Sequence, residues 1–115
     1  MENIDKPKVK FTKYGAPWCG PCRLMKPLID QLHSEYPDVE FVDIDVDDAA
    51  NAESVSKNNI KGIPALYITV NDAIVWKNVG TVNKDLIVQQ LAIAKRVAEG
   101  LHETYLEYQK TKSQS

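Results

Sequence analysis

Cysteine occurs only twice in the 115-residue chain, at Cys19 and Cys22. Three positions apart, the two sulfurs are spaced to close and open a disulfide. The attacking species in such chemistry is a thiolate, not a thiol. An unperturbed thiol near pKa 8.5 is only about 3% ionised at pH 7, whereas a C-x-x-C setting can lower that pKa to roughly 3.5–7.5. Two other uses of the pair are weaker. A structural disulfide across so short a loop removes few unfolded conformations. A zinc site takes about four ligands, and His33 and His102 are not at ligand spacing from the cysteines. The pair reads as a redox motif, with no metal and no bound organic cofactor expected.

The surrounding elements must then present a thiolate. Residues 9–14, Val-Lys-Phe-Thr-Lys-Tyr, alternate apolar and polar, the pattern of a strand. Gly15-Ala16-Pro17 ends it, and a helix is expected from about Cys19 or Gly20. Met25, Leu28, Ile29, Leu32 and Tyr36 then share one face. Pro27 is expected to kink this helix, and Pro37-Asp38 to stop it. Cys19 thus sits at the helix start, where unpaired N–H groups and the helix dipole favour negative charge. Cys22 lies one turn further in and more shielded. The division of labour that follows is Cys19 as nucleophile and Cys22 as resolving thiol.

Residues 39–45 read as a second strand, parallel to the first because a helix joins them. A weak helix is expected over 48–58, with Ala49, Ala52 and Val55 on one side. Residues 65–70 and 73–79 form a hairpin about Asn71-Asp72. A long helix starts near Asn83, a plausible cap. Ile87, Leu91, Ala94, Ala98, Leu101, Tyr105 and Tyr108 follow strict four-three spacing, the pattern of a packing seam. Gly100 is expected to interrupt it, at a cost of about 1 kcal/mol. The order β-α-β-α-β-β-α predicts an α/β fold: a four-stranded mixed sheet with helices on both faces and an extended C-terminal helix.

A net charge of −2 offers no attraction to nucleic acid or anionic lipid. The apolar stretches are too short to cross a bilayer. The first seven residues contain no apolar run of the secretory type. These features exclude nucleic-acid and membrane roles and point to the reducing cytoplasm.

At Trp18-Cys19-Gly20-Pro21-Cys22 the chain resembles the thioredoxin family, whose active-site pentapeptide it matches in full. Gly62-Ile63-Pro64 is similar to the family segment that presents a cis-proline beside the cysteines. Pro27 matches the kink proline of the active-site helix, and Gly80 a glycine that leaves room for a substrate chain. The resemblance covers about residues 9 to 94. It implies a thioredoxin-like fold, disulfide-containing protein substrates and a thioredoxin-reductase-type electron donor. It further implies that Pro64 is cis, that Ile63 offers its backbone to an extended substrate, and that Trp18 lies as an apolar surface beside Cys19. Trp18 is otherwise a half-buried core aromatic, and Pro64 an ordinary loop proline. Trp76 and Tyr67 read as sheet packing.

Two departures stand out. Only eight residues precede Val9, where the family has a further strand and helix, so the strand at 39–45 is expected at an edge or under some other cover. Lys13 stands where the family carries a buried aspartate, and Asp43 faces it from the next strand where a lysine or glutamate is common. The pair looks charge-swapped, and Gly15 replaces a bulky aromatic, leaving the site less shielded. A cation near a thiol stabilises the thiolate, so a more oxidising disulfide is expected; the other outcome is that Lys13 snorkels to solvent.

The chain therefore divides into a lead-in (1–8), a thioredoxin-like domain (9–95), a helical extension (96–110) that covers exposed core or forms a partner or self-association surface, and a disordered tail (111–115). The expected activity is thiol–disulfide oxidoreduction of proteins. The alternatives are a glutaredoxin-like reductase and a non-catalytic binding or assembly module of the same fold.

Overall fold

A computed structural model describes residues 7–113. Four strands form one sheet: β1 (Val9–Gly15), β2 (Glu40–Asp45), β3 (Ala65–Val70) and β4 (Ala73–Val79). Their order is β2-β1-β3-β4. β1 pairs parallel with β2 and antiparallel with β3, and β3 pairs antiparallel with β4. The mixed sheet is as expected, and β2 is an edge among the described strands. Its charged Glu40, Asp43 and Asp45 discourage pairing with another chain.

Helices α1 (Gly20–Glu35) and α3 (Lys84–Ser113) cover the front of the sheet. The core lies beneath them: Phe11, Leu66 and Ile68 from the strands, Met25 and Leu32 from α1, Ile87, Leu91 and Ala94 from α3. Alternation along β1 sends Val9, Phe11 and Lys13 to this side and Lys10, Thr12 and Tyr14 to the back. Trp76 packs against the front core, and Tyr67 meets the Tyr14 ring edge-on at 5.7 Å on the back. Both serve sheet packing. A register shift at Ile68/Thr69 lets Trp76 oppose Ile68 while Ile74 opposes Thr69.

The back face carries only a 3-10 turn (Ala49–Asn51) and α2 (Ala52–Lys57) among the described residues. Ala49 and Ala52, expected to face inward, are exposed. The inward groups are polar instead. Tyr14 Oη bonds Ser54 Oγ at 2.8 Å and accepts from Asn58 Nδ2 at 2.9 Å. Two alanines bury too little to hold so short a helix, so hydrogen bonds seat it.

α1 is continuous through Pro27 to Glu35, the proline removing one backbone donor. Two helix expectations differ from the outcome. Gly100 does not interrupt α3, which spans 30 residues without a break. The tail expected to be disordered over 111–115 is helical as far as Ser113, the last two residues lying outside those described. Asn83 Oδ1 does accept from Leu86 N at 2.9 Å, the expected cap. None of the described helices is long and apolar enough to cross a membrane.

Candidate active site

β1 ends at Gly15, and the chain turns through Ala16-Pro17-Trp18 into α1. The Cys19 backbone is extended (φ −86°, ψ 109°), and its side chain caps the helix. The Cys22 backbone N–H donates to Cys19 Sγ at 3.2 Å. Pro21 occupies the first turn, where a missing N–H costs nothing. Cys19 and Cys22 are joined as a disulfide with Cα atoms 5.2 Å apart. In this oxidised form both are buried, in a cluster with Ala16 against which Val46 and Ile63 pack.

Gly20, like Gly15, leaves a side-chain position empty, but the two differ. Nothing lies within 4 Å of where a Gly20 Cβ would be, whereas a Gly15 Cβ would stand 3.1 Å from Cys22 Sγ and 3.7 Å from Lys13 Cε. Gly15 therefore lets Cys22 sit against the backbone of β1. A cavity of about 340 Å³ opens beside Cys22, and Lys13, Gly15 and Asp43 are among its lining. Cys22 itself is only 2% exposed.

Lys13 pairs directly with Asp43 across the parallel strands. It is 8% exposed, and its Nζ lies 3.6 Å from Asp43 Oδ2. The Lys13–Asp43 pair thus forms beside the cavity that Cys22 lines. Lys13 keeps its stem in the protein and its ammonium on a carboxylate that is itself largely in water.

The Ile63–Pro64 peptide is cis. Pro64 O accepts from Gly80 N at 2.8 Å, which joins the loop bearing Ile63 to the end of β4. Gly80 has φ +101°, a conformation L side chains rarely adopt. Ile63 packs against the cysteine cluster, Pro64 is buried behind it, and the Gly80 N–H ties this loop to the end of β4. Trp18 is 66% exposed, which rules out the core-aromatic reading. Its Nε1 donates to Asp47 Oδ2, and this contact fixes the ring on the rim of the site.

Asp47 is the site residue that sequence reading missed. It is one of several aspartates in a turn, and nothing local marks it as the partner of a tryptophan 29 positions earlier. The same turn is tied to the active-site strand, since Val46 N donates to Gly15 O at 2.9 Å. Among the described residues no group of three or more His, Cys, Asp or Glu is arranged to hold a metal ion.

The Thioredoxin family model matches residues 2–93. Thioredoxin-1 of Saccharomyces cerevisiae is 33% identical over 89 residues, 77% of this chain and 84% of that protein. Thioredoxin of Bacillus subtilis is 34% identical over 80 residues, 69% of this chain and 75% of the relative. Thioredoxin O1 of Arabidopsis thaliana mitochondria is 41% identical over 54 residues, and the match spans 28% of its length. The X-ray structure of Fasciola hepatica thioredoxin is 28% identical with a TM-score of 0.69, covering 77% of this chain and 83% of that one. The described geometry and these likenesses agree, and the chain belongs to the thioredoxin family, a family of disulfide oxidoreductases.

Proposed function

We propose that this chain reduces disulfides in other proteins by dithiol exchange through its Cys-Gly-Pro-Cys motif. The observation that carries the reading is the Cys19–Cys22 disulfide at the start of α1, beside Ile63-Pro64. In the reduced state the Cys19 thiolate attacks one sulfur of a substrate disulfide. A Cys19–substrate bond forms, and the other substrate sulfur leaves as a thiolate. Cys22, deprotonated, then attacks Cys19 Sγ. The mixed disulfide breaks, the second substrate sulfur leaves, and Cys19–Cys22 is oxidised. Two electrons have passed to the substrate, and a thioredoxin-reductase-type donor returns them. Helix α1 favours the Cys19 thiolate through its N-terminal N–H groups.

Substrate chains are held by Trp18, Ile63, Pro64 and Gly80 in this reading. Ile63 presents backbone groups to an extended segment, as strand-adding recognition sites do. Lys13 stabilises the Cys22 thiolate, and Asp43 orients Lys13 and relays the proton. The setting is the cytoplasm, where thiols are kept reduced.

Replacing Cys22 with serine tests the proposal. Cys22→Ser should accumulate mixed disulfides on Cys19, visible as thiol-sensitive adducts with protein substrates. Cys19→Ser should form none and should abolish turnover. Full reduction of a protein disulfide by the double serine variant would overturn the reading. Reduction only of glutathione mixed disulfides would favour a glutaredoxin-like enzyme instead.

A further inference from the structure

Helix α3 is far longer than the sheet it covers. Its 30 residues extend about 45 Å at 1.5 Å per residue, whereas the seven residues of β1 extend about 23 Å. The helix starts next to Gly80, at the pole of the sheet where the cysteines lie. Ala98 is the last α3 residue in the core, and with Lys8 and Val9 it lines a cavity at the opposite pole. The segment 99–113 therefore projects past the sheet as an arm of roughly 22 Å. The molecule measures 58 × 31 × 19 Å.

The arm keeps the pattern of the part that packs. Ile87, Leu91, Ala94 and Ala98 form the row buried on the sheet. The same four-three spacing continues as Leu101, Tyr105 and Tyr108, of which Leu101 is 49% and Tyr108 59% exposed. Glu99, Glu103 and Glu107 lie on another side of the arm, so it is amphipathic. A row suited to a sheet runs on where its own sheet has ended.

The back of the sheet has the converse shape. Between α2 and the strands a trough of about 580 Å³ crosses it, with Thr12, Val42, Thr69 and Ile74 on its floor and Lys10, Glu53, Lys57 and Asp72 among its charged lining. Ile74 is 52% exposed. Two buried side-chain polar atoms lack a hydrogen-bond partner among the described residues. Thr69 Oγ1 lies on this face and His102 Nδ1 on the arm.

We propose that two copies of this chain exchange arms, each arm lying in the back trough of the other copy. The symmetry closes. The arm leaves one pole on the front side, and the trough is on the back. A two-fold axis in the sheet plane, perpendicular to the strands at that pole, interchanges both poles and faces. It carries the partner's arm over the back of the first copy. The contact is isologous, and both cysteine sites point outward. Each arm offers roughly 350 Å² of contact face, and the four surfaces together bury about 1,400 Å², within the range of specific interfaces. Tyrosines, with an apolar ring and a polar tip, suit a trough whose aliphatic and threonine floor is rimmed by charged and amide side chains.

Sedimentation equilibrium of the full chain should give twice the 12.9 kDa monomer mass. Leu101→Asp on the arm and Ile74→Asp in the trough should each weaken the dimer by roughly tenfold or more, with the cooperative unfolding transition and the disulfide reduction unchanged. Both positions are exposed in the monomer, so neither change disturbs folding. Mixing the two variants supplies the decisive result. One intact arm then meets one intact trough, and a heterodimer should reappear. A monomeric full chain would overturn the proposal. So would a dimer broken by Leu101→Asp but untouched by Ile74→Asp, which signifies arms paired with each other.

Discussion

Lys13 is the charged residue buried beside the cysteines. Its ammonium reaches Asp43 while its Cε lies close to the backbone at Gly15, directly beside Cys22. A positive charge there lowers the free energy of the Cys22 thiolate and hence of the reduced protein. The Cys19–Cys22 disulfide is therefore expected to be the more oxidising for it. Lys13→Met keeps the stem and removes the charge; Asp43, 71% exposed at its side chain, stays solvated. The reduction potential, measured against a glutathione buffer, should fall by on the order of 30 mV, the equivalent of about tenfold in the equilibrium constant. An unchanged potential would mean that solvent screens the pair. Gly15→Ala probes the same spot sterically. Its methyl would press on Cys22 Sγ, so the resolving step should slow and mixed disulfides with Cys19 should live longer.

At the scale of elements, two attachments are open to test. The α2 segment is held to the back of the sheet through the Tyr14 hydroxyl, which serves both Ser54 and Asn58. Tyr14→Phe keeps the ring against Tyr67 and removes those bonds, at a cost of about 1–2 kcal/mol in denaturant unfolding. The second test concerns α3. Gly100 lies inside the helix with open space around it, and Thr104 Oγ1 donates to its carbonyl at 2.8 Å. Gly100→Ala removes a residue of low helix propensity and adds no clash. The arm should gain about 1 kcal/mol of helix stability, read as stronger helical ellipticity and slower amide exchange over 99–113. Lys95, bonded to Asp38 at 2.9 Å, holds α3 near the end of its sheet contact; partly exposed, this pair is worth little by itself.

For the whole molecule, the expectation is that the two poles act independently. The cysteines, Pro64 and Trp18 occupy one end; the arm leaves from the other. Ending the chain after Gly100 keeps the Ala98 contact with the core. Disulfide reduction should stay within about twofold of the full chain, since no arm residue is near the site. The mass in solution should drop to that of a monomer. Loss of reduction together with the arm would show that the two ends are coupled.

Local chemistry made much of this chain legible from its residues. Cys19 and Cys22 declare a redox pair through their spacing, and alternation in residues 9–14 declares the strand before them. Leu91 and its neighbours declare a packed helix through period alone. The Lys13–Asp43 pairing was readable only through the resemblance to the family, in which the two positions face each other; the register of β1 and β2 sets them side by side. Other features depended on groups distant in sequence. Whether Gly100 breaks a helix depends on what its neighbours pack against, and propensity is only a weak guide to that. The inward side of α2 turned on hydrogen bonds to Tyr14, some 40 positions away, and not on its alanines. Asp47 became a site residue only when the turn after β2 was laid against Trp18. The sequence by itself determined which atoms react, because spacing and residue type suffice for that. Only the tertiary structure decided what stands around Cys19 and Cys22, because burial and shape arise from contacts between segments that carry no mark of one another.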